Sequence, residues 1–389
     1  MNTDDRTKPK RNWGRMAICV LLLLLAGGLA LFFRHTTGML TSQQAAGRWG
    51  GDVGRFAQVT VFLPEYAGLS QGIVDGLISN TWGALITEGL QPDTPAGTPT
   101  FAYSAEGLLE GVSSPYRGPV NVYATGVGGN FFLFHPVPLL SGAYLPYESI
   151  NRDMIVIGET LAWQLFGATD VAGMELIIGG LPFVISGVYR PLQNFASRAA
   201  YGESFHLFLY YSAMADVLGW APITTVEAVL PNPISGVAED IFESALEAVN
   251  VDEDDFILVN NTDRYTVFAL WDVFRDFGQR SMYRTGLRLP HWENAARMVE
   301  DFAALSLVLI LLLLLYPFSQ AMRLLWGRWR RRKWRLQTAR NTLDKLREQR
   351  REAEWKNTRA LAHEEMQPLN VDEIIRQVRE SEEKHEKEN

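Results

Sequence analysis

Two long apolar runs, residues 16–33 and 302–325, restrict this chain more than any other feature it has. A helix needs roughly 20 apolar residues to cross the hydrocarbon of a bilayer. The first run, MAICVLLLLLAGGLALFF, carries no charge, and Trp13 and Gly14 bring it close to that length. A cleaved signal peptide has a shorter apolar core, about 7–15 residues, followed by a small-residue cleavage site. Here Arg34 closes the run with no such site, so the expectation is an uncleaved anchor, in which Gly27-Gly28 could let another helix approach closely. The second run is centred on LSLVLILLLLLYPF, and Pro317 inside it could kink a helix.

Charge assigns the sides. The net charge of −8 is an average over unlike parts. Residues 1–34 hold six Lys/Arg against two Asp, residues 35–301 hold 12 Arg, no Lys and 29 Asp/Glu, and residues 302–389 hold 18 Lys/Arg against 13 Asp/Glu. Basic flanks stay cytoplasmic. Arg6, Lys8, Lys10, Arg11 and Arg15 precede the first run. Trp326, Arg328, Trp329, Arg330, Arg331, Arg332, Lys333, Trp334 and Arg335 follow the second, a mixture of aromatic and basic residues suited to lipid headgroups. The expected layout is a cytoplasmic N-terminus at 1–15, a first span at 16–33, an exported domain at 34–301, a second span at 302–325 and a basic helical tail at 326–389. Membrane lipid is the expected partner. Nucleic acid is not, because a phosphate backbone needs a basic face and the large middle region is acidic.

Within 34–301, hydropathy alternation predicts strands at 55–63, 99–103, 120–127, 154–157, 206–211 and 224–230. Helices are expected at 70–87, with Ile73, Leu77, Ile78, Trp82 and Leu85 on one face, at 158–166, from Asn232-Pro233 to about 249, at 263–282 and at 292–301, the last running on into the second span. A short helix should follow Gly128-Gly129-Asn130. Residues 174–178 and 182–189, joined by Gly179-Gly180, carry the clearest hairpin signal. Strands and helices alternate irregularly, which indicates an α+β domain flanked by two transmembrane helices.

No catalytic pattern emerges. A phosphate-cradling G-x-x-x-x-G-K-[ST] loop is absent, since no Gly-Lys pair occurs, so an ATPase would have to be another chain. Neither H-E-x-x-H nor G-x-S-x-G is found, and His35, His135, His206, His291, His363 and His385 show no ligand spacing. His135, beside Pro136, reads as a turn residue. Asp252–Asp255 lacks the alternating ligands and central Gly of a calcium loop and reads as a solvated helix end. Asn260-Asn261-Thr262 matters only in a host that glycosylates. One cysteine, Cys19, excludes an intrachain disulfide. No metal, cofactor or catalytic residue is expected, and the chain is not expected to be an enzyme.

Residues 138–190, PLLSGAYLPYESINRDMIVIGETLAWQLFGATDVAGMELIIGGLPFVISGVYR, are more specific. Leu140-Ser141-Gly142, Gly158-Glu159, Leu161, Leu165-Phe166-Gly167, Asp170, Gly173 and Gly187 fall in a pattern that resembles the periplasmic core domain of MacB/FtsX-like ABC transporter permeases. The resemblance implies structural roles. Gly142, Gly158 and Gly167 would sit at element ends in glycine-favouring turns. Leu161, Leu165 and Phe166 would bury one helix face, and Glu159 and Asp170 would be helix-end charges. It also implies a cytoplasmic ABC ATPase as partner and coupling of its motions to the exported domain, for export or mechanotransmission. Family permeases have four spans, so this chain, with two, reads as a shortened permease-like or accessory subunit needing a further permease subunit, in a homo- or hetero-oligomer. The other reading is an exported ligand- or protein-binding or sensing module with no ATPase.

The tail, 336–366, is charged and helix-forming. Its heptad seam is weak, with Arg350 and Asn357 at core-type positions, so a single extended helix fits equally well. Pro368 should break it. Val371, Ile374, Ile375 and Val378 then form one face of a short amphipathic helix that could dock on a partner or fold back onto the first helix.

Overall fold

In the computed structural model the described residues are 13–50, 54–91, 97–147, 149–202, 204–252, 255–277, 283–284, 287–365 and 370–385. The basic residues at 6, 8, 10 and 11, residues 92–96, Glu253 and Asp254 of the acidic run, and Pro368 lie outside them. The chain divides into two units, residues 1–314 and 315–389.

In the first unit, α1 (Trp13–Gly38) contains the first apolar run and is almost wholly exposed. At about 1.5 Å per residue its 26 residues extend about 39 Å, enough to span hydrocarbon. A short helix α2 (Ala45–Gly50) leads into β1 (Phe56–Phe62), buried along its whole length. α3 (Gln71–Thr87) follows; its buried stripe is Val74, Leu77, Thr81 and Leu85, with Ile73 left exposed, so the inward face is rotated from the expected one.

β2 (Thr100–Val112) is far longer than the strand expected at 99–103. Its second half, SAEGLLEGV, alternates poorly because Gly107 and Gly111 interrupt it. A shift in register falls between Leu109 and Val112, where Gly111 has φ +71°. β3 (Val120–Gly129) and the one-turn helix α4 (Phe131–Phe134) follow as anticipated. Next come β4 (Leu139–Gly142), β5 (Met154–Gly158), α5 (Glu159–Phe166), β6 (Glu175–Ile178), β7 (Leu181–Tyr189), α6 (Phe195–Tyr201), β8 (His206–Tyr210), α7 (Tyr211–Leu218) and β9 (Thr225–Pro231). Gly179 and Gly180, with φ +59° and +80°, make the β6–β7 turn, a backbone that glycine adopts without steric cost.

α8 (Val237–Glu247) starts four residues later than expected from Pro233, after Gly236 at φ +100°. β10 (Ile257–Asn260) precedes α9 (Val267–Arg275), which is much shorter than the helix expected over 263–282. Thr266 caps it, accepting from the Ala269 amide at 3.3 Å, and turns precede and follow it. β11 (Tyr283–Arg284) and β12 (Leu287–Arg288) form a small hairpin.

β1 to β10 form one mixed sheet ordered β10-β1-β9-β2-β3-β8-β5-β7-β4, with β6 also on β7. The pairs β3–β8 and β5–β7 are parallel and the rest antiparallel. β2 serves two neighbours on one edge. Thr100–Ser104 pairs with β9, and beyond its far end Ser113 exchanges backbone hydrogen bonds of 3.1 and 2.9 Å with Ile177 of β6. Strands β2, β3, β8, β5, β7 and β6 therefore close into a ring at one end, while β9, β1 and β10 form an open flap. α3 packs on α8, and α8 covers β1.

α10 (His291–Glu365) is a single helix of 75 residues that starts in the first unit and contains the second apolar run, unbroken at Pro317. In the second unit it forms the extended tail helix, with α11 (Val371–His385) after it.

Candidate functional site

The family-like motif builds β4, β5, α5, β6 and β7. In α5, Leu161 and Leu165 are fully buried and Phe166 partly so. Gly167 ends the helix at φ +75°. Gly142, at φ +73°, lies so close to β7 that a Cβ would come within 2.1 Å of the Ser186 carbonyl oxygen. Gly187 is equally confined, its Cβ position 2.6 Å from the Ala143 oxygen. Ser141 Oγ donates to the Thr169 carbonyl at 2.7 Å, the Gly173 amide donates to Ile185 O at 2.8 Å, and Leu140 packs on the core.

Gly158 departs from the expectation: its φ is −70°, ordinary extended backbone. Closeness rather than turn geometry constrains it, since a Cβ there would approach His206 O at 3.2 Å. Glu159 does sit in the first turn of α5, where the helix dipole favours an acid. It is also held by Arg190 through two hydrogen bonds of 2.8 and 3.0 Å, which lower its pKa despite partial burial. Asp170 is exposed.

A second constellation was not foreseen. Polar side chains punctuate the otherwise apolar flap strands: Gln58 and Thr60 on β1, Glu227 on β9, all buried. Gln58 accepts from the Ala45 amide at 2.8 Å and donates to the Ser42 carbonyl at 2.7 Å, fixing the segment that leaves α1. Thr60 donates to Glu227 at 3.0 Å, and Asn261 donates to Thr60 at 2.8 Å. Arg264 donates to Asn261 at 3.0 Å, grips Glu293 with two bonds of 2.7 Å and pairs with Glu300; Arg297 adds a 2.8 Å bond to Glu293. The chain of contacts thus runs from β9 and β1 to the foot of α10, eight residues of which carry Glu293, Arg297 and Glu300 at helical spacing.

Two guanidinium groups face two carboxylates here. Burial alone would lower the Arg264 pKa, but Glu293 and Glu300 hold it well above its ordinary value, and Arg264 and Arg297 outweigh burial in lowering that of Glu293. At the other end, Glu227 pairs with His135, whose ring is packed against Phe131 and, at 4.3 Å between centroids, Trp292. His135 is therefore a buried partner of a strand carboxylate and not merely a turn residue.

A polar cavity of about 210 Å³ lies nearby, lined by Glu106, Tyr123, His206, Arg288 and His291 among others. Burial pushes Glu106 up to about 7, against the pull of Arg288, and burial lowers His206 to about 4 and, with His206 and His135 adding to it, His291 to about 3. Chain position scatters these histidines, and the fold gathers them; among the described residues no group of three or more His, Cys, Asp or Glu is placed to hold a metal. A larger cleft of about 990 Å³ has Trp49, Trp82, Tyr103, Tyr147 and Tyr211 in its walls, with Asp75 and Arg152 as its charged groups.

In the second unit, the aromatic and basic residues after the second apolar run are exposed along α10, with Lys333 Nζ 4.1 Å from the Trp329 ring centre. Val371, Ile374, Ile375 and Val378 are exposed on α11. The network residues Arg264, Glu293 and Glu300 were missed; the one local hint is the i, i+4, i+7 spacing of Glu293, Arg297 and Glu300 directly before an apolar run.

Residues 66–248 match the family model described as MacB-like periplasmic core domain. Among solved structures, the extracellular domain of the noncanonical ABC-type transporter YknZ from Gram-positive bacteria is similar at 12% identity, covering 52% of this chain and 100% of that one, with a TM-score of 0.38. The periplasmic region of MacB from Actinobacillus actinomycetemcomitans is similar at 16% identity, covering 60% and 96%, also with a TM-score of 0.38. A domain of a putative permease protein from Porphyromonas gingivalis is similar at 16% identity, covering 53% and 89%, with a TM-score of 0.31. No curated protein matches the chain. The family match is what bears on function.

Proposed function

We propose, from the match of residues 66–248 to the MacB-like periplasmic core domain, that this chain is the permease-like membrane subunit of a MacB/FtsX-type complex, coupling a partner ATPase to the exported domain. In this reading both termini are cytoplasmic, residues 34–301 lie outside, and a further permease subunit completes the membrane unit. The Trp326–Arg335 segment rests in the inner headgroup layer. The face made by Val371, Ile374, Ile375 and Val378 docks on a cytoplasmic partner.

The observation that carries the reading is the buried grip of Arg264 on Glu293 and Glu300. A helix that enters lipid at residue 302 is clamped two and nine residues earlier, through Glu300 and Glu293, to the open flap of the sheet. A shift of that helix cannot leave the flap in place without separating buried charges, which is costly in a low-dielectric interior. Displacement of the span is thereby converted into displacement of the exported domain, for export or for mechanotransmission. The test is purification from native membranes with ATP hydrolysis trapped by vanadate. An ABC ATPase and a permease chain should copurify; if neither does under trapping or resting conditions, the proposal fails.

The aromatic cleft favours a second reading, a ligand-binding or sensing module without an ATPase. Its size suits a small ligand. Under that reading the full chain binds its ligand with unchanged affinity whether or not residues 371–389 are present, and no ATPase accompanies it.

A further inference from the structure

α9 exposes an apolar face that no described residue of the first unit covers. Leu270 is buried and anchors the helix, yet Val267, Phe268 and Trp271 are 61%, 85% and 50% exposed, and Phe277, in the turn that follows, is 48% exposed. Trp271 and Phe274 lie 5.8 Å apart between ring centres with their planes tilted by 33°, so their aromatic surfaces adjoin. Scattered exposed apolar residues are ordinary, but a contiguous aromatic arc on one short helix marks a contact surface.

The surroundings of α9 identify the contact. Tyr265, two residues before the helix, meets the ring of Phe33, the last residue of the first apolar run, at 6.3 Å in an edge-on arrangement. Arg264 holds Glu300, two residues before the second apolar run begins. The start of α9 is therefore pinned beside both points at which the chain passes into hydrocarbon. Arg275 projects from the same arc, with neighbours Asp272 and Asp276 at 3.3 and 3.4 Å. Trp and Phe at the headgroup boundary, with an arginine able to reach phosphate, are the ingredients of a helix lying in the interface.

We propose that α9 is an interfacial helix, with Val267, Phe268 and Trp271 inserted into the outer headgroup layer of the bilayer that the two apolar helices cross. The inference rests on reading α1 as a span. It gives the exported domain a third footing on the membrane.

The test uses the full chain in phospholipid nanodiscs. Cys19 is first changed by Cys19→Ala, and a nitroxide is then attached at one of three new cysteines, Phe268→Cys, Leu24→Cys or Ile150→Cys. Collision with oxygen, which concentrates in lipid, is compared with collision with a nickel chelate, which stays in water. Leu24 lies within the first apolar run, and Ile150 is fully exposed on the exported domain. The logarithm of the oxygen-to-nickel accessibility ratio should be positive at 268, as at 24, and negative at 150. A water-like negative value at 268 with a positive value at 24 overturns the interfacial helix and leaves the span reading intact. Shielding of 268 from both reagents means a protein covers the face and also overturns it. A negative value at 24 overturns both readings.

Discussion

Arg264 is buried with no solvent to share its charge, so its value to the fold depends wholly on Asn261, Glu293 and Glu300. Arg264→Ala strands two carboxylates that Arg297 alone cannot serve, and a broken buried pair costs about 3–5 kcal/mol. The combined replacement Arg264→Met, Glu293→Leu, Glu300→Leu removes the charges together and should restore most of that loss in chemical denaturation of the purified chain. Equal destabilisation by the single and triple changes would mean that packing, not charge, holds the joint. Glu106 makes a pH-dependent contribution of the opposite kind. Its folded value of about 7 lies above the reference 4.5, so between those values the folded state keeps a proton that the unfolded chain has released. Stability falls as pH rises across that window. Glu106→Gln should therefore raise Tm at pH 8 and leave it unchanged at pH 4. His206 runs the other way: with its pKa lowered from 6.5 to about 4, stability falls as pH drops through that interval, and His206→Phe, which keeps a ring against Tyr123, should flatten the acid limb of a Tm–pH curve.

Single elements show where sequence reading succeeds. The β6–β7 hairpin and α5 were readable because their signals are local: paired glycines between alternating strands, and a helix whose apolar spacing matches Leu161 and Leu165. The second half of β2 was not, since its strand character comes from pairing with β3 and from the bridge of Ser113 to Ile177, 64 positions away. α9 was overextended for a related reason: apolar residues continue past Arg275, but the turn at Asp276–Phe277 ends the helix. The Arg264 joint was illegible because its partners are 29 and 36 residues distant. Two glycines separate conformational strain from crowding. Gly167 has positive φ with open space around it, so Gly167→Ala should cost about 1–2 kcal/mol. Gly142 adds a 2.1 Å backbone collision to the same strain, so Gly142→Ala should cost distinctly more in urea melts. Similar costs for both would mean that β4 yields without penalty.

At the scale of the whole molecule, the acidic middle, the basic flanks and the two apolar helices make one arrangement testable in cells. Protease added to intact cells, with the envelope opened as far as the membrane carrying the chain, should cut within residues 34–301 and spare epitopes placed at both ends. Cleavage of the end epitopes with the middle protected would reverse the arrangement. The division of the sheet has a mechanical corollary. Ser113 and Ile177 act as a buckle, so the six strands they fasten resist shear together, like a hoop. The three strands left unfastened, β9, β1 and β10, are those that Gln58 ties to the segment leaving α1 and that Asn261 and Arg264 tie to α10. Any tug arriving along the membrane helices is thus delivered to the compliant side, which bends first and carries the stiff hoop with it as a single lever arm.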